Sequence, residues 1–250
     1  MTPLPISRVA VVVPAHNEEQ HLARALSGLL AAADALQREH AQVDVTVTVV
    51  LDSCTDRSAD IAAAYVSTDS RFNTLEVRLR STGASRAVGI AAAMDSLGTA
   101  AIMNTTWLAN TDADSTVPGH WLTRQVGLAN AGVDAVLGTV QPNPSDLDPA
   151  VLRRWLEHHP FREDHPHIYG ANFGVRASAY LTAGGFPKLR VHEDRILVER
   201  LRRHNFSVTA TDTIRVLTSG RTHARAPQGF GAYLRALSRE VPVAAREQHL

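Results

Sequence analysis

Trp107-Leu108-Ala109-Asn110-Thr111-Asp112-Ala113-Asp114-Ser115 reads as an apolar strand running into two carboxylates one residue apart. In an extended chain the side chains of i and i+2 share a face, so the spacing predicts that Asp112 and Asp114 point together where the strand ends. Two neighbouring carboxylates repel unless a cation lies between them. A hard divalent ion such as Mg²⁺ or Mn²⁺ takes oxygen ligands and keeps coordination places for substrate phosphates, which makes a nucleoside diphosphate a natural companion. A plain turn is the competing reading, because Asp and Ser are common turn residues and Pro118 follows.

Two further strands end in the same manner. Val45-Thr46-Val47-Thr48-Val49-Val50-Leu51 alternates and then becomes continuously apolar, as a strand buried on both faces does, and it stops at Asp52-Ser53-Cys54-Thr55-Asp56. Val9-Ala10-Val11-Val12-Val13 stops at Pro14-Ala15-His16-Asn17-Glu18-Glu19. In open α/β sheets ligands bind beyond the carboxyl ends of the strands, and three strands deliver polar residues there.

Helical patterns separate these strands. Asn17 stands three residues before Gln20 at capping-box spacing, with Leu22, Leu26, Leu29, Leu30 and Leu36 as the apolar face behind it. Thr55 or Asp56 opens a second helix through Ile61 and Tyr65; Thr74–Leu79 alternates as a strand; Ala84 to Leu97 is helical. Pro118 suits a helix's first turn ahead of Trp121, Leu122 and Val126, and Ala135–Val140 is the next strand. The alternation predicts an α/β fold, a Rossmann-like sandwich with a mostly parallel central sheet flanked by helices. Gln141 to Pro149 reads as the clearest loop.

With 250 residues and 44% hydrophobic content, the chain can bury one substantial core. Lys plus Arg and Asp plus Glu both number 25, so nothing in the overall charge argues for nucleic acid or an acidic membrane. Cys54 is the only cysteine, which excludes an internal disulfide and fits a reducing compartment. The start lacks a signal-peptide pattern, and no apolar run approaches the ~18 residues that span a bilayer, so the expectation is a cytoplasmic protein without a transmembrane segment.

The blocks VVVPAHNEE, VVLDSCTDRS, GASRAVGIAAA, LANTDADSTVP, YGANFGVRASAYLTAGGF and HEDRILVERL resemble, in that order, the landmark blocks of family 2 glycosyltransferases with the GT-A fold. They cover roughly residues 8 to 205. The resemblance implies a GT-A domain over residues 1–225, with a nucleotide-binding half to about 118 and an acceptor-binding half from about 119, then a C-terminal helical tail over 226–250. It also implies inverting transfer of a sugar from a nucleotide-sugar donor, UDP- or GDP-linked, to an unidentified acceptor, assisted by Mn²⁺ or Mg²⁺.

Carried over position by position, the resemblance sets Pro14, Ala15, Asn17 and Glu18 beside the base and ribose, and Asp52 in a hydrogen bond to the base. Leu51 stands where the family commonly has a further acid, and Ser53 replaces the usual glycine. Arg86 matches an arginine that faces the nucleotide, and Gly83 precedes a helix start whose free N–H groups favour phosphate. Asp112 and Asp114 match the metal-binding acids, with Asp112 also near ribose; His223 is the candidate histidine ligand, with a surface histidine as the other reading.

His192-Glu193-Asp194 opens a helix in which positions 194, 197, 198 and 201 share a stripe with Leu197, Val198 and Leu201. A carboxylate there can simply favour the helix dipole, worth ~0.3–1 kcal/mol. Inverting transfer, however, needs a base opposite the leaving group, and the family's matching acid has that role. Asp194 is therefore the candidate base and Glu193 its positioning partner.

Asn172 in Tyr169–Gly174, with Gly185 and Phe186, resembles the acceptor-side wall; a strand, a turn and a packed phenylalanine explain the same residues. His158, His159, His165 and His167 lack the paired-cysteine spacing of a zinc site and read as a loop near the acceptor. Gly229 to Leu237 predicts a short amphipathic helix that could cover the site, touch a membrane peripherally or join a homodimer. A dinucleotide-dependent oxidoreductase would show GxGxxG after the first strand, which this chain lacks. The remaining alternative is a non-catalytic nucleotide-sugar-binding protein of the same fold.

Overall fold

Valine-rich strands dominate the first half of the chain because β-branched side chains fit a pleated sheet packed on both faces. In the computed structural model, which describes residues 4–95, 100–187, 192–222 and 229–240, these strands are β1 (Arg8–Ala15), β2 (Asp44–Asp52), β3 (Phe72–Val77) and β4 (Thr106–Asn110). They pair in parallel in the order β3-β2-β1-β4, with Val11 opposite both Val47 and Ala109. Alternate residues of β1 enter two different cores. Val9, Val11 and Val13 pack in the cluster that contains Leu22, Leu26 and Leu29 of α1 (Leu22–Glu39), while Ala10 and Val12 join Ile90 of α3 (Thr82–Asp95) and Leu108. Between them lies α2 (Ser58–Thr68), and α4 (Ala100–Asn104) leads into β4.

The second half continues with β5 (Ser115–Thr116), α5 (Trp121–Asn130), β6 (Ala135–Pro142), α6 (Pro149–His158), β7 (Phe173–Arg176), α7 (Ala177–Thr182), α8 (Glu193–Arg203), β8 (Val208–Thr218) and α9 (Phe230–Glu240). The full sheet order is β3-β2-β1-β4-β7-β6-β8-β5. β7 runs antiparallel to both β4 and β6, and β5 antiparallel to β8, so the sheet is mixed. The expected α/β sandwich is present, and the departure from parallel order has a local cause. Hydrophobic periodicity announces a strand but not its direction, and β7 enters between β4 and β6 from the opposite end.

Three local expectations change. Asn17 does not cap α1, which begins at Leu22; it adopts φ 53° and accepts the Thr55 N–H at 2.8 Å, joining the ends of β1 and β2. The helix expected to open at Thr55 or Asp56 starts at Ser58, whose N–H donates to Asp56 at 3.0 Å. The loop expected over 141–149 holds the end of β6, a 3-10 turn and the capped start of α6, where Asp148 accepts the Ala150 N–H at 2.8 Å. No helix among the described residues is long and apolar enough to cross a membrane.

Candidate active site

Beyond the carboxyl ends of β1, β2 and β4 lies a cleft of about 650 Å³. This volume lies within the ~300–1,000 Å³ usual for small-molecule sites. Pro14, Ala15, Asn17, Glu18, Asp52 and Asp112 line it, together with Asp114. The nucleotide-side residues read from the sequence therefore converge, apart from Gly83, buried in the first turn of α3, and Arg86. Three non-glycine residues of the wall, Asn17, Ser53 and Arg80, hold φ of 53°, 55° and 50°. Such left-handed conformations cost of order 1–3 kcal/mol each and persist where surrounding contacts enforce them.

Asp52 supplies much of that enforcement. Its Oδ1 accepts the N–H groups of Leu79 and Arg80 at 2.8 and 2.9 Å, and its Oδ2 accepts from Ser81 N–H at 3.1 Å and Ser85 Oγ at 2.9 Å. Burial alone would raise this carboxyl, but these hydrogen bonds outweigh it and hold it below the ordinary aspartate value. The expected hydrogen bond to a nucleotide base thus meets a carboxylate whose lone pairs already shape the 79–81 loop.

Asp112 and Asp114 lie just past β4, which ends at Asn110, in a turn where the Ser115 N–H bonds to the Asp112 carbonyl at 3.0 Å. Both face the cleft, though through a turn rather than through strand alternation. Asp114 Oδ2 meets Arg221 Nη2 at 2.8 Å, and the same guanidinium forks onto Glu18. Burial pushes the Asp114 carboxyl up to about 6; Arg221 opposes the rise, while Asp112 and Glu18 add to it.

Arg86 does not reach the cleft wall. It is 3% exposed and donates through Nη1 to Glu193 and through Nη2 to Asp112, behind the cleft floor. Gly170 packs so tightly on it that a Cβ there would come within 2.3 Å of Nη1. Glu193 is buried; its burial raises the carboxyl, Arg86 pulls it down and Asp194 pushes it up, with a net rise. Asp194 is half-buried beside it, accepting the Gly170 N–H at Oδ2 (2.8 Å) and the Arg195 N–H at Oδ1 (2.7 Å).

The acceptor-side expectations fare differently. Asn172 is fully buried; its amide donates to the carbonyls of Thr139 and Ile214 at 2.8 and 2.7 Å and accepts from Trp121 Nε1 at 2.8 Å. Every polar atom of that side chain ties strands and α5 together. Phe186 is core, edge-on to Phe173 and Tyr180, and Gly185 takes φ 65° in the preceding turn. His159 stacks on Trp155 at 3.6 Å and stands 4.7 Å from His167, whose imidazole burial pushes down to about 4 with neighbouring histidines adding. Trp155 in turn meets Phe230 of the cleft wall at 5.0 Å. This histidine-rich stretch packs α6 against α9.

His223 lies outside the described residues. Among the described residues no cluster of three or more side chains is arranged to hold a metal ion. The donor chemistry nevertheless suits a hard cation. Asp112 and Asp114 share one wall with Glu18, which gives three carboxylates on one side of the cleft, the oxygen donors a hard divalent ion takes. Sequence reading singled out His223 and missed Arg221, two residues before it.

A family model described as Glycosyl transferase family 2 matches residues 10–181. The chain belongs to this family. No curated protein matches the chain. Among solved structures, the mannosyltransferase PcManGT from Pyrobaculum calidifontis, in complex with GDP-Man and Mn²⁺, is similar with a TM-score of 0.59 and 19% identity, over 94% of this chain and 62% of that one. GalNAc-T7 with UDP, GalNAc and Mn²⁺ gives 0.61 and 11%, over 86% and 44%. Glucosyl-3-phosphoglycerate synthase from Mycobacterium tuberculosis, with Mn²⁺, UDP and phosphoglyceric acid, gives 0.52 and 15%, over 93% and 75%. At these identities the likeness is one of fold, and it agrees with the GT-A-type sandwich expected of family 2. The chain spans 62% and 44% of the first two proteins.

Proposed function

We propose that this family 2 chain transfers a sugar from a UDP- or GDP-linked donor to an acceptor hydroxyl by a single displacement that inverts the anomeric carbon. The observation that carries the reading is the joining of two acid systems by one guanidinium: Arg86 holds Asp112 of the cleft wall and Glu193, the neighbour of Asp194. A donor in the cleft would thereby lie close to a carboxylate suited to act as base.

In this mechanism Pro14, Ala15 and Asn17 bound the nucleoside, and Asp52 keeps the 79–81 loop shaped around it. Asp112 and Asp114 would hold the divalent cation, Mn²⁺ or Mg²⁺, which when bound offsets the charge of the leaving diphosphate. Asp194 accepts the proton of the attacking hydroxyl, its orientation set by the Gly170 N–H. Glu193, pinned by Arg86, positions that base rather than acting as one. Support comes from the family match and from structurally similar proteins that hold Mn²⁺ with GDP-Man or UDP.

One observation favours the second reading, a nucleotide-sugar-binding protein without transferase activity: neither Glu193 nor Asp194 lines the cleft. Nucleotide release from a panel of UDP- and GDP-sugars with Mn²⁺, with and without candidate acceptors, decides between them. Transfer requires release that depends on donor identity and rises with an acceptor; binding without release supports the second reading.

A further inference from the structure

A guanidinium already sits on the carboxylate that the proposed cation needs. Arg221, three residues past β8, binds Glu18 through two hydrogen bonds of 2.8 Å, and its Nη2 also meets Asp114 Oδ2 at 2.8 Å. The backbone around it is anchored on both sides: the Ser219 N–H donates to the Asp114 carbonyl at 3.1 Å and the Gly220 N–H to Asp146 Oδ2 at 2.9 Å. Glu18 and Asp114 side chains are 6% and 13% exposed, so the pair is largely shielded from solvent.

We infer that Arg221 is a resident counter-cation that competes with Mn²⁺ or Mg²⁺ for Asp114, so that the divalent ion binds tightly only together with a nucleoside diphosphate. The inference rests on the metal-assisted reading above and adds an order of assembly to it. An arginine does not lose its proton under any condition at which the protein is folded. It cannot surrender its charge to an arriving metal; it must move or share the carboxylate. A divalent ion at Asp114 would lie beside a fixed positive charge, in a setting where repulsion is stronger than in bulk water. The oxygens of a diphosphate offset both positive charges at once. Metal and nucleotide then each raise the other's affinity by the same factor, as linkage requires.

The test titrates Mn²⁺ alone into the wild-type chain and into Arg221→Gln and Arg221→Met, then repeats each titration with saturating UDP or GDP. Either variant is expected to bind Mn²⁺ alone at least about fivefold more tightly than wild type, and to gain less from nucleotide. Adding Asp114→Asn to Arg221→Gln should abolish the gain. Arg221→Lys retains the charge and should bind Mn²⁺ alone close to the wild-type affinity; where the neutral variants melt early, the wild-type titrations still decide, because Mn²⁺ affinity that saturating UDP or GDP leaves unchanged overturns the inference. Mn²⁺ affinity unchanged or weakened in the folded neutral variants overturns the inference, as does a gain that survives Asp114→Asn or appears equally in Arg221→Lys. Failure of the transferase reading looks different: a wild-type chain that binds neither nucleotide nor nucleotide sugar with Mn²⁺ present.

Discussion

The guanidinium of Arg86 is ion-paired with Glu193, and this buried contact joins α3 to the first turn of α8. Glu193 is 5% exposed and Arg86 3%, so neither charge has water to fall back on. Removing Arg86 strands the buried Glu193 carboxylate, and breaking such a pair typically costs ~3–5 kcal/mol, far more than a surface ion pair is worth. Arg86→Met should lower unfolding free energy by about that amount in urea titrations. Arg86→Met with Glu193→Gln should recover part of the loss, because the stranded charge is gone. A single variant as stable as wild type would contradict the buried strut.

Asp52 leads to a pH prediction. Its carboxyl lies below the ordinary value of 3.8 because its hydrogen bonds outweigh burial, so the unfolded chain takes up this proton before the folded one does. The carboxylate's contribution is complete above pH 3.8 and is lost as pH falls through the lower folded value. Asp52→Asn sets an NH₂ or a neutral carbonyl against donors that now meet a charge, and should cost ~1–3 kcal/mol at pH 7. Measured by urea unfolding, the gap between wild type and Asp52→Asn should narrow steadily below pH 3.8. A gap independent of pH would remove Asp52 from the account of the 79–81 loop.

Asp114 bears on the cation. Nucleoside diphosphate should bind at least about tenfold more tightly with Mn²⁺ than with EDTA, a difference of ~1.4 kcal/mol, and Asp114→Ala should erase that difference. Calorimetric titration of UDP and GDP in both buffers reads it directly. Equal affinities in wild type would exclude cation assistance.

These partners divide into those that sequence reveals and those it hides. The runs Val9–Val13 and Val45–Leu51 could hardly be anything but buried strands, and their polar ends lie where an open sheet binds ligand. Asp112 and Asp114 were legible because spacing alone puts two acids together, whether in a strand or in the observed turn. The pairing of β7 was not legible, since Phe173–Arg176 carries no mark of its direction. Arg86 resembled a nucleotide ligand because its motif matches the family's arginine; in the fold it pairs with Asp112 and with Glu193, which stands more than a hundred positions away and is brought to it only by the fold. Asn172 shows the same effect. A polar residue among glycines invites a substrate-facing reading, yet here three hydrogen bonds fix it between β6, β8 and α5.

Asp194 separates a catalyst from a binder. The two acids of this turn differ in what they can do: Glu193 is buried and pinned by a guanidinium, whereas Asp194 is half-buried and takes its hydrogen bonds from backbone N–H groups. Each carboxylate oxygen has two lone-pair sites, so Asp194 can accept a hydroxyl proton while Gly170 still orients it. Asp194→Asn keeps the size of the side chain but removes the proton acceptor. Donor affinity should stay near wild type while single-turnover transfer falls at least ~10²-fold, the low end for losing a general base. The adjacent Leu197, Val198 and Leu201 are fully buried, so the variant must first be shown to melt with the wild-type transition. Glu193→Gln should behave otherwise, losing stability together with activity because it leaves Arg86 short of a counter-charge. A folded Asp194→Asn chain that still turns over at the wild-type rate would take the base role away from Asp194.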